Sequence, residues 1–325
     1  MSKPILSICI PTYNRAKILQ DTIESIVSQE EFRSGKVEIV ISDNCSEDST
    51  RSICGEYQNK YTNFLYFRNK ENIRDRNFPT VLARGTGVYR KLSNDTVKYL
   101  PGSLKFLTDL LERPEVEKNH PVIYYSGRAQ GNEIEELHSL SKFLHRVSYW
   151  VTWIGGIGIW EEDADKIENS IKDCETHLWQ VPFLLERIVE HNQRSLIINK
   201  ELTMTKPSEH KFYTRQFYEI FYINYLKFIK RFVDSGILSM EDYEWARRDL
   251  LYSFMTDWMI GMDIEPNRWM YDIHDPKLSE LVLPEYKTDS YYDEYMKYYK
   301  IRKKKKIVRH KAHLVKEKLS RIIRI

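Results

Sequence analysis

A chain of 325 residues with 42% hydrophobic content is long enough for one large domain plus an appendage, and apolar enough to build a core. Its N-terminus carries no signal-peptide pattern and it holds no run of about 18 apolar residues, so neither secretion nor a membrane-crossing helix is expected. Its four cysteines, Cys9, Cys45, Cys54 and Cys174, form no Cys-x-x-Cys pair and no zinc-spaced cluster, which excludes a zinc finger and argues for reduced thiols in the cytoplasm.

Residues 5–10 are a β-rich apolar run closed by Pro11, and residues 18–27 place Ile18, Leu19, Ile23, Ile26 and Val27 at helical spacing. A second strand is expected over 37–41, ending in Ser42-Asp43-Asn44. A helix opened by acidic and hydroxyl residues follows over 48–57. Residues 64–67 form a third strand. Residues 77–84 read as a helix stopped by Gly85, and residues 88–92 as a fourth strand ending in Ser93-Asn94-Asp95. A helix follows Pro101, a residue favoured in a first turn. Strands separated by helices require crossover connections and a largely parallel sheet. In such sheets ligands lie beyond the carboxyl ends of the strands, so residues 11–15, Asp43 and Asn44, the stretch after Arg68, and Asn94-Asp95 are expected to converge on one edge.

The middle section is expected to continue the sheet through 122–126 and 195–198. The apolar stretch 150–160 is broken by Gly155, Gly156 and Gly158, which suggests a close approach to another strand or to a ligand. An amphipathic helix is expected over 178–189, interrupted early by Pro182. Beyond Thr205 the segment Lys206-Pro207-Ser208 reads as a linker, and residues 217–233 and 243–259 have helical apolar spacing. The organisation expected is a domain over 1–205, a helical appendage over 206–299 and a basic tail over 300–325. The tail holds twelve Lys/Arg against one acid, so the formal net charge of +3 divides into a segment of +11 and a remainder of −8.

Four blocks in order carry a family resemblance. Ile8-Cys9-Ile10-Pro11-Thr12-Tyr13-Asn14-Arg15 and the run from Val40 through Ser42-Asp43-Asn44-Cys45 to Thr50 resemble the opening of family 2 glycosyltransferases of the GT-A fold. The third block is Arg68-Asn69-Lys70-Glu71-Asn72-Ile73 through Asn77-Phe78. The fourth is Ala83-Arg84-Gly85 through Ser93-Asn94-Asp95. The resemblance covers residues 4–112, with a weaker echo to about residue 200. It implies an α/β domain with a mostly parallel mixed sheet flanked by helices, here followed by the α-helical appendage.

The resemblance also implies an inverting enzyme that moves a sugar from a nucleotide diphosphate, usually uridine-linked, to a hydroxyl of a surface glycan. Pro11, Thr12, Tyr13 and Arg15 would shape the nucleotide pocket, and Asp43 would accept a hydrogen bond from the base. Asn72, Arg74, Arg76 and Asn94 would border the diphosphate. Asp95 matches the last acid of the metal-binding Asp-x-Asp motif, which implies a divalent cation, Mn²⁺ or Mg²⁺. Ser93 replaces the first acid of that motif, and Arg74 stands near a position where the family has a small residue. From the residues alone, Asp95 is equally a turn residue, and Arg74 and Arg76 are equally surface charges. The acid pair that normally supplies the base is absent, which leaves Glu175, Asp173 and His177 as candidates; helix capping is their other use. Lys206, His210 and Arg215 follow the last strand, where a loop often closes over the diphosphate.

Basic residues with apolar ones near helical spacing in 300–325 suit an amphipathic helix on an anionic membrane surface. A solvated tail is the plainer alternative, and no recognition motif supports nucleic acid. The partners expected are a nucleotide-sugar donor, a lipid-linked acceptor glycan and the inner face of the cell membrane, in capsule, O-antigen or teichoic-acid assembly. The appendage would hold the acceptor, pack against a second subunit, or both. The rival function is a GT-A-derived scaffold that binds nucleotide or glycan without turnover. A nucleotidyltransferase would show a Gly-rich loop after the first strand, and Pro11-Thr12-Tyr13-Asn14 is not one.

Overall fold

The computed structural model describes residues 3–129, 131–205, 214–264 and 276–323, in two compact units, Met1–Ser208 and Glu209–Ile325. Lys206 and His210 lie outside the described residues.

The first unit is built on a five-stranded sheet. Its strands are β1 (Leu6–Thr12), β2 (Val37–Asp43), β3 (Phe64–Arg68), β4 (Tyr89–Leu92) and, antiparallel at one edge, Gly158–Trp160. The order is β3-β2-β1-β4 and then the edge strand, with the first four parallel. β1 and β2 are buried over nearly their whole length, as expected of parallel strands covered on both faces. The chain builds outward from β1 to β3, then returns to place β4 on the other side of β1. That reversal opens a crevice at the carboxyl ends of β1 and β4.

Helix Ala16–Val27 buries Leu19, Ile23 and Ile26 against this sheet, and helix Ser103–Leu111 adds Leu104, Leu107 and Leu110 to the same core. Burying these six aliphatic side chains stabilises the unit by about 1.5–3 kcal/mol each. The buried acid Glu38 in β2 is satisfied: it accepts from the Ser7 hydroxyl at 2.6 Å and from the Thr86 amide and hydroxyl at 2.6 and 2.7 Å.

The middle section departs from the expected continuation of the sheet. Val122–Tyr125 and Ser195–Ile198 pair in parallel with each other, and Ile134–Leu137 joins them antiparallel, in a separate three-stranded sheet. Among the described residues of the middle section, only Gly158–Trp160 extends the main sheet. Val97–Tyr99 and Thr203–Thr205 form a two-stranded ribbon the apolar pattern did not announce. The glycines of 155–158 make room for side chains, two of them from neighbouring strands: Gly158 pairs with Lys91 of β4 and faces Tyr89, and Gly156 faces Tyr124. A Cβ on Gly158 would stand 2.3 Å from the Tyr89 hydroxyl. Pro182 does not interrupt its helix. It lies in the first turn of Gln180–Glu190, where a missing N–H costs nothing.

The second unit is helical. Thr214–Tyr218 runs through a π-turn at Glu219–Asn224 into Tyr225–Asp234, and Met240–Asp249 runs through another at Leu250–Met255 into Thr256–Ile264. Its core is rich in tyrosine: Tyr225, Tyr286 and Tyr295 are fully buried, and the Tyr295 hydroxyl meets Thr256 Oγ1 at 2.9 Å. Residues 300–323 of the basic segment lie within one helix, Tyr292–Ile323, which is tied to Thr256–Ile264 by Arg302–Asp257 and Lys303–Asp263 pairs, each at 2.6 Å.

Candidate active site

The crevice beyond β1 and β4 gathers residues from three loops. Leaving β1, the chain turns at Asn14, whose φ of +51° suits asparagine. Its amide donates to Ser46 Oγ at 2.9 Å and its side-chain oxygen accepts from the Glu47 amide at 2.8 Å. Asp48 accepts the Ala16 amide at 2.9 Å, at the N-terminus of the first helix. The loops after β1 and β2 are thus laced into one wall. Tyr13 projects from it, 43% exposed, as a ring available for stacking at the rim; Pro11 is half-buried beside it.

Asp95 lies at the point where the strand order reverses. Its Oδ1 takes a hydrogen bond from Arg15 Nη1 at 2.8 Å and its Oδ2 one from Thr12 Oγ1 at 2.9 Å, while Thr22 Oγ1 donates to its backbone carbonyl at 2.9 Å. The Asp95 side chain is only 4% exposed and that of Arg15 is 37% exposed. Burial pushes the Asp95 carboxyl above its ordinary value, and the Arg15 charge with the two side-chain hydrogen bonds pulls it back. Asn94 is half-buried beside it, and Ser93 Oγ accepts from Tyr99 Oη at 3.1 Å.

Asp43 is wholly buried. Its Oδ1 accepts the Ser46 amide at 2.8 Å, its Oδ2 accepts the Tyr66 hydroxyl at 2.7 Å, and Arg68 Nε stands 3.6 Å away. Burial, with the carboxylate beside it, pushes the Tyr66 phenol well above its ordinary range. In this arrangement Asp43 organises the base-side loop from within. Asn44 reaches across to Asn72 Oδ1 at 2.8 Å and accepts the Ile73 amide at 2.8 Å, which anchors the segment carrying both arginines.

Two sets of residues a hundred positions apart meet there. The turn Arg74–Arg76 faces the turn Ile171–Thr176 across an open cleft of about 480 Å³, lined by Asn72, Arg74, Asp75, Arg76, Glu175 and His177. Arg76 pairs with Glu175 at 3.6 Å and His177 Nδ1 meets Asp75 Oδ2 at 2.7 Å. Glu175 has 82% of its side chain exposed, whereas Asp173 is buried. Arg74 and His177 both hold left-handed backbone, at φ +52° and +59°. Such strain costs about 1–2 kcal/mol per residue and explains why a small residue is the easier choice at position 74. Asp75 was missed in the sequence, because nothing local marks it as the partner of a histidine 102 residues away. Arg215 lies in the second unit, in Thr214–Tyr218.

The acids fit a divalent cation only in company. No group of three or more His, Cys, Asp or Glu among the described residues could hold a metal ion, so Asp95 would be its one carboxylate. A hard cation accepts that when substrate phosphates and water complete its shell.

Residues 7–136 match the model of the family described as Glycosyl transferase family 2. Over 88 residues the chain is 42% identical to Abequosyltransferase RfbV of Salmonella typhimurium, 26% of each chain. Over 106 residues it is 31% identical to the GalNAc(5)-diNAcBac-PP-undecaprenol beta-1,3-glucosyltransferase of Campylobacter jejuni, 32% of this chain and 33% of that one. The matches thus span about a quarter to a third of the curated relatives' length. The crystal structure of S. aureus TarS superposes with a TM-score of 0.55 at 15% identity, over 86% of this chain and 51% of that one. TarS 1–349 in complex with UDP-GlcNAc gives 0.55 at 17% identity, over 81% and 78%. These two likenesses establish the fold.

Proposed function

We propose, from the match of residues 7–136 to the glycosyltransferase family 2 model, that the chain is an inverting sugar transferase using a nucleotide-diphosphate donor, with uridine as the base. The observation that carries this reading is the convergence of Tyr13, Arg15 and Asp95 at the β1/β4 reversal, in a unit whose other loops set Arg74 and Arg76 opposite Glu175 and His177.

The base would stack at Tyr13 on the wall held by Asp43. The diphosphate would lie between Arg15, held by Asp95, and the arginines of the 74–76 turn. A divalent cation, held through Asp95, would offset charge on the leaving diphosphate. Glu175, on the exposed side of the cleft, takes the proton of the acceptor hydroxyl. The acceptor oxygen then forms its bond to the anomeric carbon as the carbon–phosphate oxygen bond breaks, and the nucleotide leaves with that electron pair. General-base help of this kind contributes about 10²–10⁴ in rate. His177, tied to Asp75, and the buried Asp173 are the other base candidates.

The acceptor is proposed to be a lipid-linked glycan of surface-polysaccharide assembly; one relative is named for an undecaprenol-linked substrate. No helix among the described residues is long and apolar enough to cross a membrane. The basic helix Tyr292–Ile323 would lie on the anionic inner face, with Ile301, Val308 and Val315 exposed seven residues apart. A non-catalytic scaffold is the second reading, favoured by one observation: both oxygens of Asp95 and both of Asp43 are already engaged within the chain.

A thermal-shift panel of nucleoside diphosphates, with and without Mn²⁺, on the wild type and Asp95→Ala tests the donor site, because a ligand of the folded state raises its apparent stability. A uridine-selective shift that grows with Mn²⁺ only in the wild type supports the reading. No shift with any nucleotide removes it, and turnover of no donor despite binding leaves the scaffold.

A further inference from the structure

A second pocket, of about 210 Å³, opens beyond the carboxyl ends of strands Val122–Tyr125 and Ser195–Ile198. The parallel pairing of these strands creates it: each leaves its sheet at the same end, at Ser126 and Asn199. The Ser126 hydroxyl lies 3.0 Å from the Ile198 carbonyl, and buried Asn199 bonds the Asn132 carbonyl at 2.9 Å, so the floor is fixed. Arg146 reaches in from helix Leu140–Val147. Its guanidinium pairs with Glu135 at 2.7 Å and donates to Asn199 Oδ1 at 3.2 Å.

Arg128 is different. Its guanidinium lies 3.4 Å from the centre of the Trp150 ring, and no ion pair joins it to an acid among the described residues. Trp150 is 38% exposed, and its carbonyl is fixed by the Tyr124 hydroxyl at 2.6 Å. A guanidinium stacked on an indole keeps its N–H fork free for an anion. The exposed part of the indole offers a π surface on which the C–H face of a sugar ring can rest.

The pocket adjoins the Ser93-Asn94 turn. Gly127, Trp153 and Lys200 line a small cavity together with Lys91, Ser93 and Asn94, and Gly127 and Lys200 directly flank Arg128 and Asn199 in the chain. Gly127 holds φ +65°, and a Cβ there would stand 2.9 Å from the Trp153 ring, so only glycine lets Trp153 close the space between the two. Lys91 Nζ, buried 2.9 Å from the Gly155 carbonyl, lines the same path.

We propose that this pocket is an acceptor subsite for an anionic saccharide, a sugar bearing a carboxylate or a phosphate, with Arg128 pairing the anion and Trp150 supporting the ring. The identification as an acceptor subsite rests on the sugar-transfer reading above; the anion chemistry rests on the pocket alone.

The test is ligand-observed NMR on the full chain with three probes: methyl glucuronide, glucose 6-phosphate and neutral methyl glucoside. The wild type should bind at least one anionic probe and not the neutral one. The carboxylate and phosphate arms decide which anion is preferred. Arg128→Gln should weaken that binding by about tenfold or more, the loss expected for a charged hydrogen bond. Trp150→Ala should do the same, and Trp150→Phe should retain part of it. The uridine diphosphate thermal shift should be unchanged in all three variants, which separates this subsite from the donor site. Equal binding of the neutral probe, absence of binding by both anions, or full binding by Arg128→Gln would overturn the proposal. Loss of the nucleotide shift in the wild type would strike the donor reading instead.

Discussion

Arg15 and Asp95 stand 80 positions apart and meet at 2.8 Å where the strand order of the sheet reverses. The carboxylate is buried and the guanidinium reaches the crevice, so the acid orients the arginine toward any anion bound there. A cation and Arg15 therefore share one carboxylate. Mn²⁺ alone should bind weakly, and nucleotide diphosphate should raise its affinity by supplying the missing oxygens. Calorimetry of Mn²⁺ with and without uridine diphosphate checks this. Asp95→Asn should abolish the coupling; tight Mn²⁺ binding by the nucleotide-free wild type would contradict it.

Glu175→Gln should lower kcat by about 10²–10⁴ while leaving the nucleotide thermal shift intact. Asp173→Asn and His177→Gln should have smaller effects on kcat, since one is buried and the other is paired with Asp75. Steady-state kinetics on the three variants ranks them. A Glu175→Gln enzyme at wild-type rate would move the base elsewhere.

Lys91 is fully buried, and burial lowers its amine to about 7 from the usual 10.5. Between these values the unfolded chain binds the proton and the folded chain does not, so this residue makes stability rise with pH across that window. Below pH 7 both states are protonated and the full penalty, on the order of a few kcal/mol, is present. Urea unfolding of wild type and Lys91→Met from pH 7 to 10 should show the slope in the first and its reduction in the second. Parallel curves would place the amine's proton differently.

Two glycines should respond oppositely to alanine. Gly158→Ala drives a methyl to 2.3 Å from the Tyr89 hydroxyl and 2.6 Å from its ring, and should destabilise by about 1–3 kcal/mol. Gly55 lies inside helix Thr50–Lys60 with open space around it, and its replacement should stabilise by about 0.5–1 kcal/mol. Denaturant midpoints of the two variants decide both points.

The basic helix is testable by flotation. Lys304, Lys305 and Lys311 are exposed along it, and each basic residue near an anionic leaflet contributes about 1 kcal/mol. Changing all three to glutamate should release the protein from phosphatidylserine-containing vesicles, with little effect on its weaker association with neutral ones. Retention on both would argue for a solvated helix.

The sequence alone determined the first three strands and the loops that follow them. Ile8 to Arg15, Val40 to Asp48 and Arg68 to Asn77 combine apolar runs with turn chemistry, and both act over a few residues. The same local logic set out the helical appendage and its basic segment. Other features were settled only by tertiary structure. Val122–Tyr125 and Ser195–Ile198 look like further strands of one sheet, yet pair with each other, because an apolar run does not specify its partner. Asp95 follows a strand in the sequence with nothing to say what it touches; only the fold brings Arg15 and Thr12 onto its two oxygens. Asp75 and Arg128 have no local signature; one acquires meaning from His177 and the other from Trp150. Local propensity is written in neighbouring residues, whereas charge pairing and pocket chemistry depend on which distant loops the sheet order brings together.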